Sequence, residues 1–191
     1  MLIHGSQLPD TPVMGLQTGA ELAKISREVI NPHDLSVIAY QVDGPTLDHH
    51  PSFLRIADIR EVSDIGMIID SSDEFVELDD IIKLKDIYEL GFKIVGKHVV
   101  DEKQKKIGKV TDYTIELGSF VIQQINVQRP LLKSFSDAEL LIHRSQIIEI
   151  NDTTIVVKSG AEEARPVMKA VNNYVNPFRQ DSPQTNNADT K

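Results

Sequence analysis

The residues of this chain able to do chemistry are scattered, and few stand at a spacing that chemistry requires. His49 and His50 sit beside Asp43 and Asp48 in a segment rich in chain breakers. A metal site needs three or four converging ligands, and adjacent histidines on an extended chain point to opposite sides, so this segment reads as a solvated loop. His4, His33, His98 and His143 are isolated and read as surface or internally satisfied histidines. The acidic run Asp70-Ser71-Ser72-Asp73-Glu74 lacks the central glycine and the terminal glutamate of a calcium loop and reads as a polar turn. No glycine-rich phosphate loop, zinc-protease helix or nucleophile elbow occurs. The expectation is a non-enzymatic protein with no catalytic residues, no cofactor and no metal.

Two segments remain as candidate contacts. Lys103-Gln104-Lys105-Lys106-Ile107-Gly108-Lys109 is the one basic cluster, read either as a solvated turn or as a contact for an anion or RNA. The excursion over residues 128–138 places Leu131, Leu132 and Phe135 between Arg129, Lys133 and polar neighbours. Large apolar groups on a loop mark an interaction site or plug the end of a barrel, and Arg129, Leu131, Leu132, Lys133 and Phe135 are the candidate protein-binding residues. A net charge of −9 with a pI near 5.1 repels phosphate backbones at long range, which disfavours direct nucleic-acid binding.

The elements that must position these residues come in two similar sets. Ile59, Val62, Asp64, Met67 and Ile69 fall opposite Ile147, Ile150, Asp152, Ile155 and Val157, and the stretch from Val37 to Val42 falls opposite Ile122 to Val127. A period this long means two copies of one small fold. Plentiful Ile and Val favour strands. Strands are expected over 35–42, 53–59, 107–115, 120–127 and 147–157, with turns at Asp64–Gly66, 101–106, 116–119 and Asn151–Asp152. The stretch 16–32 is open between helix and strand. Ile81, Leu84, Ile87 and Tyr88 stand at helical spacing, with Asp79 and Gly91 as cap candidates. Short strands with polar turns suggest antiparallel barrels, which leave no open edge.

The expected organisation is a loose leader over 1–14, a first domain over 15–78, a linker helix over 79–90 and a second domain over 91–158. A helix over 159–175 and a disordered tail over 176–191 follow. The absence of cysteine excludes disulfides and thiolate chemistry and agrees with a reducing compartment. No apolar run approaches a membrane span, the first residues lack the pattern of a signal peptide, and the expected location is cytoplasmic.

The second copy resembles the PRC-barrel family. Gly96-Lys97-His98-Val99-Val100, then Ile107-Gly108-Lys109-Val110-Thr111-Asp112, then the strand from Phe120 to Val127 and the turn after Ile147-Ile148-Glu149-Ile150 follow that family's strand order. The first copy shows no clear counterpart of the Gly-Lys-Val-x-Asp element, and Glu28-Val29-Ile30-Asn31-Pro32 is its nearest match. The resemblance spans residues 15–158 and implies a tandem of two small antiparallel barrels. Family members act as binding and assembly modules without shared catalytic residues, so no active site carries over. The implied function is a cytoplasmic adaptor that binds a protein partner, with self-association open as well. The alternative is a ribosome-assembly or RNA-processing accessory that acts through a ribosomal protein, as the family's ribosome maturation factor does.

Overall fold

The computed structural model describes residues 1–45, 47–129 and 139–161. The described residues are mainly β, with two seven-stranded sheets and one α-helix. The first sheet holds β2 (Pro12–Gly15), β3 (Glu21–Ile30), β4 (Val37–Asp43), β5 (Ser52–Arg55), β6 (Glu61–Ser63), β7 (Gly66–Ile69) and β8 (Phe75–Glu77). The second holds β9 (His98–Asp101), β10 (Lys106–Glu116), β11 (Val121–Gln128), β12 (Leu140–His143), β13 (Ile147–Ile150), β14 (Thr154–Val157) and the N-terminal β1 (Leu2–His4). Within the open stretch 16–32, Glu21–Ile30 is a strand, its β-branched Ile25, Val29 and Ile30 packed in the interior.

The sheets share one strand order. It runs β6-β7-β2-β3-β4-β5 in the first and β13-β14-β9-β10-β11-β12 in the second. In each, one pair is parallel, β2 with β7 and β9 with β14. The irregularities coincide too. β3 slips against β4 between Ile25 and Arg27 and again at Val29/Ile30, and β10 slips against β11 between Val110 and Asp112 and again at Thr114/Ile115. The extra residues behave alike, Ser26 Oγ donating to the Gln41 carbonyl at 3.4 Å and Thr111 Oγ1 to the Asn126 carbonyl at 3.3 Å. Bulges are built features that bend a strand and raise its twist. The matched registers correct one sequence expectation: the counterpart of Ile107-Gly108-Lys109-Val110-Thr111-Asp112 is Leu22-Ala23-Lys24-Ile25-Ser26-Arg27, upstream of Glu28-Val29-Ile30-Asn31-Pro32.

The two sheets also meet through matched residues. Leu35 and Phe120 both have positive φ, 58° and 52°. Val37 N donates to the Phe120 carbonyl at 2.8 Å, and Ile122 N donates to the Leu35 carbonyl at 2.9 Å. Between them Ser36 and Val121 form an antiparallel bridge. Tyr113, the counterpart of Glu28, is buried, and the Glu28 charge acts on its hydroxyl. Such self-pairing is the mark of a pseudo-two-fold axis. A single apolar cluster runs through both sheets, from Val13, Ile25, Tyr40 and Met67 to Val110, Ile125, Ile142 and Ile155.

Residues 1–14 are not loose. β1 pairs antiparallel with β10, Leu2 opposite Glu116 and His4 opposite Thr114, and β2 lies inside the first sheet. α1 (Ile82–Glu89) is shorter than the expected helix over 79–90, because Leu78–Asp80 forms a 3-10 turn. Gly91, φ 58°, ends it, its N–H on the Tyr88 carbonyl at 3.0 Å. Leu84, Ile87 and Tyr88 pack on Val29, Ala39 and Phe53 of the first sheet. Each segment ahead of a sheet thus lies on the opposite sheet: β1 on β10, and α1 on β3. Of the C-terminal helix expected over 159–175 only Ser159, Gly160 and Ala161 are described; the rest of it and the tail 176–191 lie outside the described residues. No helix among the described residues is long and apolar enough to cross a membrane.

Candidate functional site: a cationic groove on the second sheet

The Ile107–Asp112 element lies at the mouth of a groove of about 600 Å³ on the second sheet. His98, Val99 and Val100 of β9 line it, with Lys106, Gly108 and Lys109 of β10, Gln128 and Arg129 at the end of β11, and Thr154 of β14. Strand register explains the assembly. Gln128 pairs with Lys109, Lys109 with His98, and His98 with Thr154, so these residues form one row across neighbouring strands. Directly paired residues share a face of a sheet, and each strand step is about 4.8 Å. Gly108 permits the close fit of β11, since a Cβ there would stand 2.2 Å from the Gln128 carbonyl oxygen and 2.7 Å from Val127 Cγ1. Val99 and Val100 are buried, while His98, Lys106 and Lys109 are exposed.

The turn that carries the lysines is fixed from below. Asp101 is buried and accepts the N–H groups of Lys103 and Lys105 on Oδ1 at 2.8 and 2.9 Å. This Asx-type bonding sets the turn from within the chain. The basic run therefore divides: Lys103 and Lys105 belong to the turn backbone, and Lys106 and Lys109 face the groove.

The sequence candidates separate as follows. Arg129 lines the groove, while Leu131, Leu132, Lys133 and Phe135 lie outside the described residues. His49 Nε2 stands 3.0 Å from Glu77 Oε1. His143 caps the turn Arg144–Gln146 by accepting from Ser145 N. His4 Nδ1 is 3.4 Å from Asp112 Oδ2. Among the described residues, no group of three or more His, Asp or Glu is placed to hold a metal ion. His98 was among the isolated histidines of the sequence; only the β9–β10 register brings it beside Lys109.

A second concavity, of about 430 Å³, lies among Pro32, His33, Phe92, Lys93, Lys97 and Asn151. Lys97 is buried there. Its Nζ donates to the carbonyls of Asn151 and Asp152 at 2.8 and 2.6 Å and stands 4.8 Å from the Phe92 ring centre. Burial holds its amino pKa below the ordinary lysine value, against the pull of Asp152. These bonds tie down the β13–β14 turn, a structural use.

The chain matches no family model, and no curated protein matches it.

Proposed function

We propose that this protein is a non-enzymatic cytoplasmic adaptor or assembly module, built of two PRC-barrel-like copies in tandem, that binds a protein partner through the groove of its second sheet. The matched strand orders, matched bulges and self-paired axis residues support the tandem reading. The observation that carries the binding reading is the groove itself, an open concavity with buried Val100 beneath a rim that includes Lys106, Lys109 and Arg129. Such a surface offers apolar contact at its centre and charge at its edge, the arrangement of protein docking sites. The chain's net charge of −9 opposes a long polyanion such as RNA, so a ribosome-assembly role would also run through a protein.

The test is site-specific photo-crosslinking in the native host. A crosslinking amino acid replaces Lys106 in one variant and Lys24, the first-sheet counterpart of the neighbouring Lys109, in another. The expected result is one protein captured at 106 and not at 24, which then binds the purified chain at a defined stoichiometry. Equal capture at both positions, or capture of nucleic acid at 106, would overturn the reading.

A further inference from the structure

We propose that the groove of the second sheet is a receptor for a short acidic protein segment, its carboxylate or phosphoryl groups read by His98, Lys106, Lys109 and Arg129. This rests on the adaptor reading above and adds the chemistry of the partner. The first sheet supplies the comparison. Its registers place Pro12 where the second has His98, Glu21 where it has Lys106, Ala23 where it has Gly108, Lys24 where it has Lys109, and Asp43 where it has Gln128. Gly44 follows Asp43 as Arg129 follows Gln128. Lys24 is the one cation of that set, and its Nζ lies 3.8 Å from Glu21 Oε1. The same fold position is thus balanced and acidic in one sheet and cationic in the other.

The physical setting favours an anion held at short range. Long-range attraction is absent in a chain of net charge −9, and salt screens exposed charges beyond about 8 Å. A ligand must therefore enter the groove to gain from its cations, where buried Val100 lowers the local dielectric and strengthens each contact. The transverse row Gln128–Lys109–His98–Thr154 offers the Lys109 cation with the His98 imidazole about one strand spacing away, flanked by an amide and a hydroxyl. Side chains two apart on an extended peptide lie about 7 Å from each other on one face, so alternating acidic residues reach Lys109 and its neighbours together. A single strand of RNA spreads its charge along a backbone that the acidic remainder of the surface repels.

The probes are fluorescein-labelled peptides of alternating glutamate and alanine, of alternating phosphoserine and alanine, and of alternating glutamine and alanine, with a single-stranded RNA of matched charge. Binding to the full chain is followed by anisotropy at low and physiological salt. The expected result is salt-sensitive binding of the glutamate or phosphoserine peptide and none of the glutamine peptide. Affinity should fall about tenfold or more in Lys106→Glu/Lys109→Glu, as charge-assisted contacts are lost, and stay unchanged in Lys24→Glu. Lys106→Gln/Lys109→Gln guards against misfolding of the charge-reversed chain, with circular dichroism as the fold check, and should also weaken binding. The ratio of the two anionic peptides tells carboxylate from phosphoryl chemistry. Failure of both to bind, equal binding by the lysine variants, or tighter binding of the RNA overturns the proposal. A partner crosslinked at position 106 whose binding ignores both lysine variants would leave the adaptor reading standing and remove this one.

Discussion

Replacing Gly5 by alanine tests the N-terminal arm that crosses onto the second sheet. A Cβ at Gly5 would lie 2.3–2.6 Å from three carbons of the Tyr113 ring, against a comfortable separation of about 3.5–4.0 Å. The ring has nowhere to go, because Tyr113 is 2 % exposed. The arm must lift instead. Lifting it breaks the bonds from Ser6 N and Ser6 Oγ to the Asp112 carboxylate, 3.1 and 2.8 Å, and the bond from Leu117 N to the Met1 carbonyl, 2.9 Å. Those bonds contribute about 1 kcal/mol each, or about 1.5–3 for one to a charged group, largely offset by ordering the arm at about 1–2 kcal/mol per residue. The net loss is then about 1–3 kcal/mol, the same scale as overpacking, or about 2–4 °C of melting temperature per kcal/mol at this chain length. Urea unfolding measures the loss, and hydrogen exchange locates it, because the Ser6 and Leu117 amides should lose protection together. Gly118→Ala, with nothing within 4 Å of its added Cβ, is the control. A neutral Gly5→Ala variant with both amides still protected would refute the account of how the arm is held.

Two further outcomes follow from the core and from one ion pair. Because one apolar cluster joins both sheets, Ile142→Ala, fully buried in the second sheet, should destabilise by about 2–5 kcal/mol and shift a single unfolding transition read by probes in either sheet; two separated transitions would contradict a shared core. The Asp70 carboxyl is held below its ordinary 3.8, chiefly by hydrogen bonds from Arg60, so its contribution is present above 3.8 and lost as pH falls through the lower folded value; NMR titration should return Asp70 to the ordinary range in Arg60→Met, and an unchanged Asp70 would remove Arg60 as the cause.

What the sequence disclosed and what it hid divide along physical lines. Alternation and turn residues placed most strands, and the pairs Ile59–Ile147 through Ile69–Val157 do occupy matching turns and strands of the two sheets. The helix stripe at Leu84, Ile87 and Tyr88 was legible because its period is set by one element alone. Three features depend on pairing between distant segments and left no local trace. Leu2–His4 has no pattern of its own and becomes a strand only on β10. The match of Leu22–Arg27 to Ile107–Asp112 was obscured because Ala23 and Arg27 replace the glycine and the aspartate of the element. The groove needed the register that sets His98 beside Lys109. Of the candidate contact residues, Arg129 is the one the groove includes.

The pseudo-two-fold axis also indicates which differences between the sheets carry information. A residue near such an axis meets its own counterpart, so identical copies would set like against like. Glu28 opposite a second Glu would bring two like charges together, which raises the pKa of one of them. Tyr113 in that place stays neutral, because burial together with the Glu28 charge pushes its hydroxyl pKa up. Divergence at the axis is therefore demanded by packing and says little about function. The groove is different. Its row runs across β11, β10, β9 and β14 within one sheet, and its first-sheet counterpart accommodates Pro12, Glu21, Lys24 and Asp43 in the same strand order. The fold thus tolerates either charge pattern there. Placing Lys106 and Lys109 together at the groove costs mutual repulsion. The groove, rather than the axis, is therefore the place to test the proposed contact.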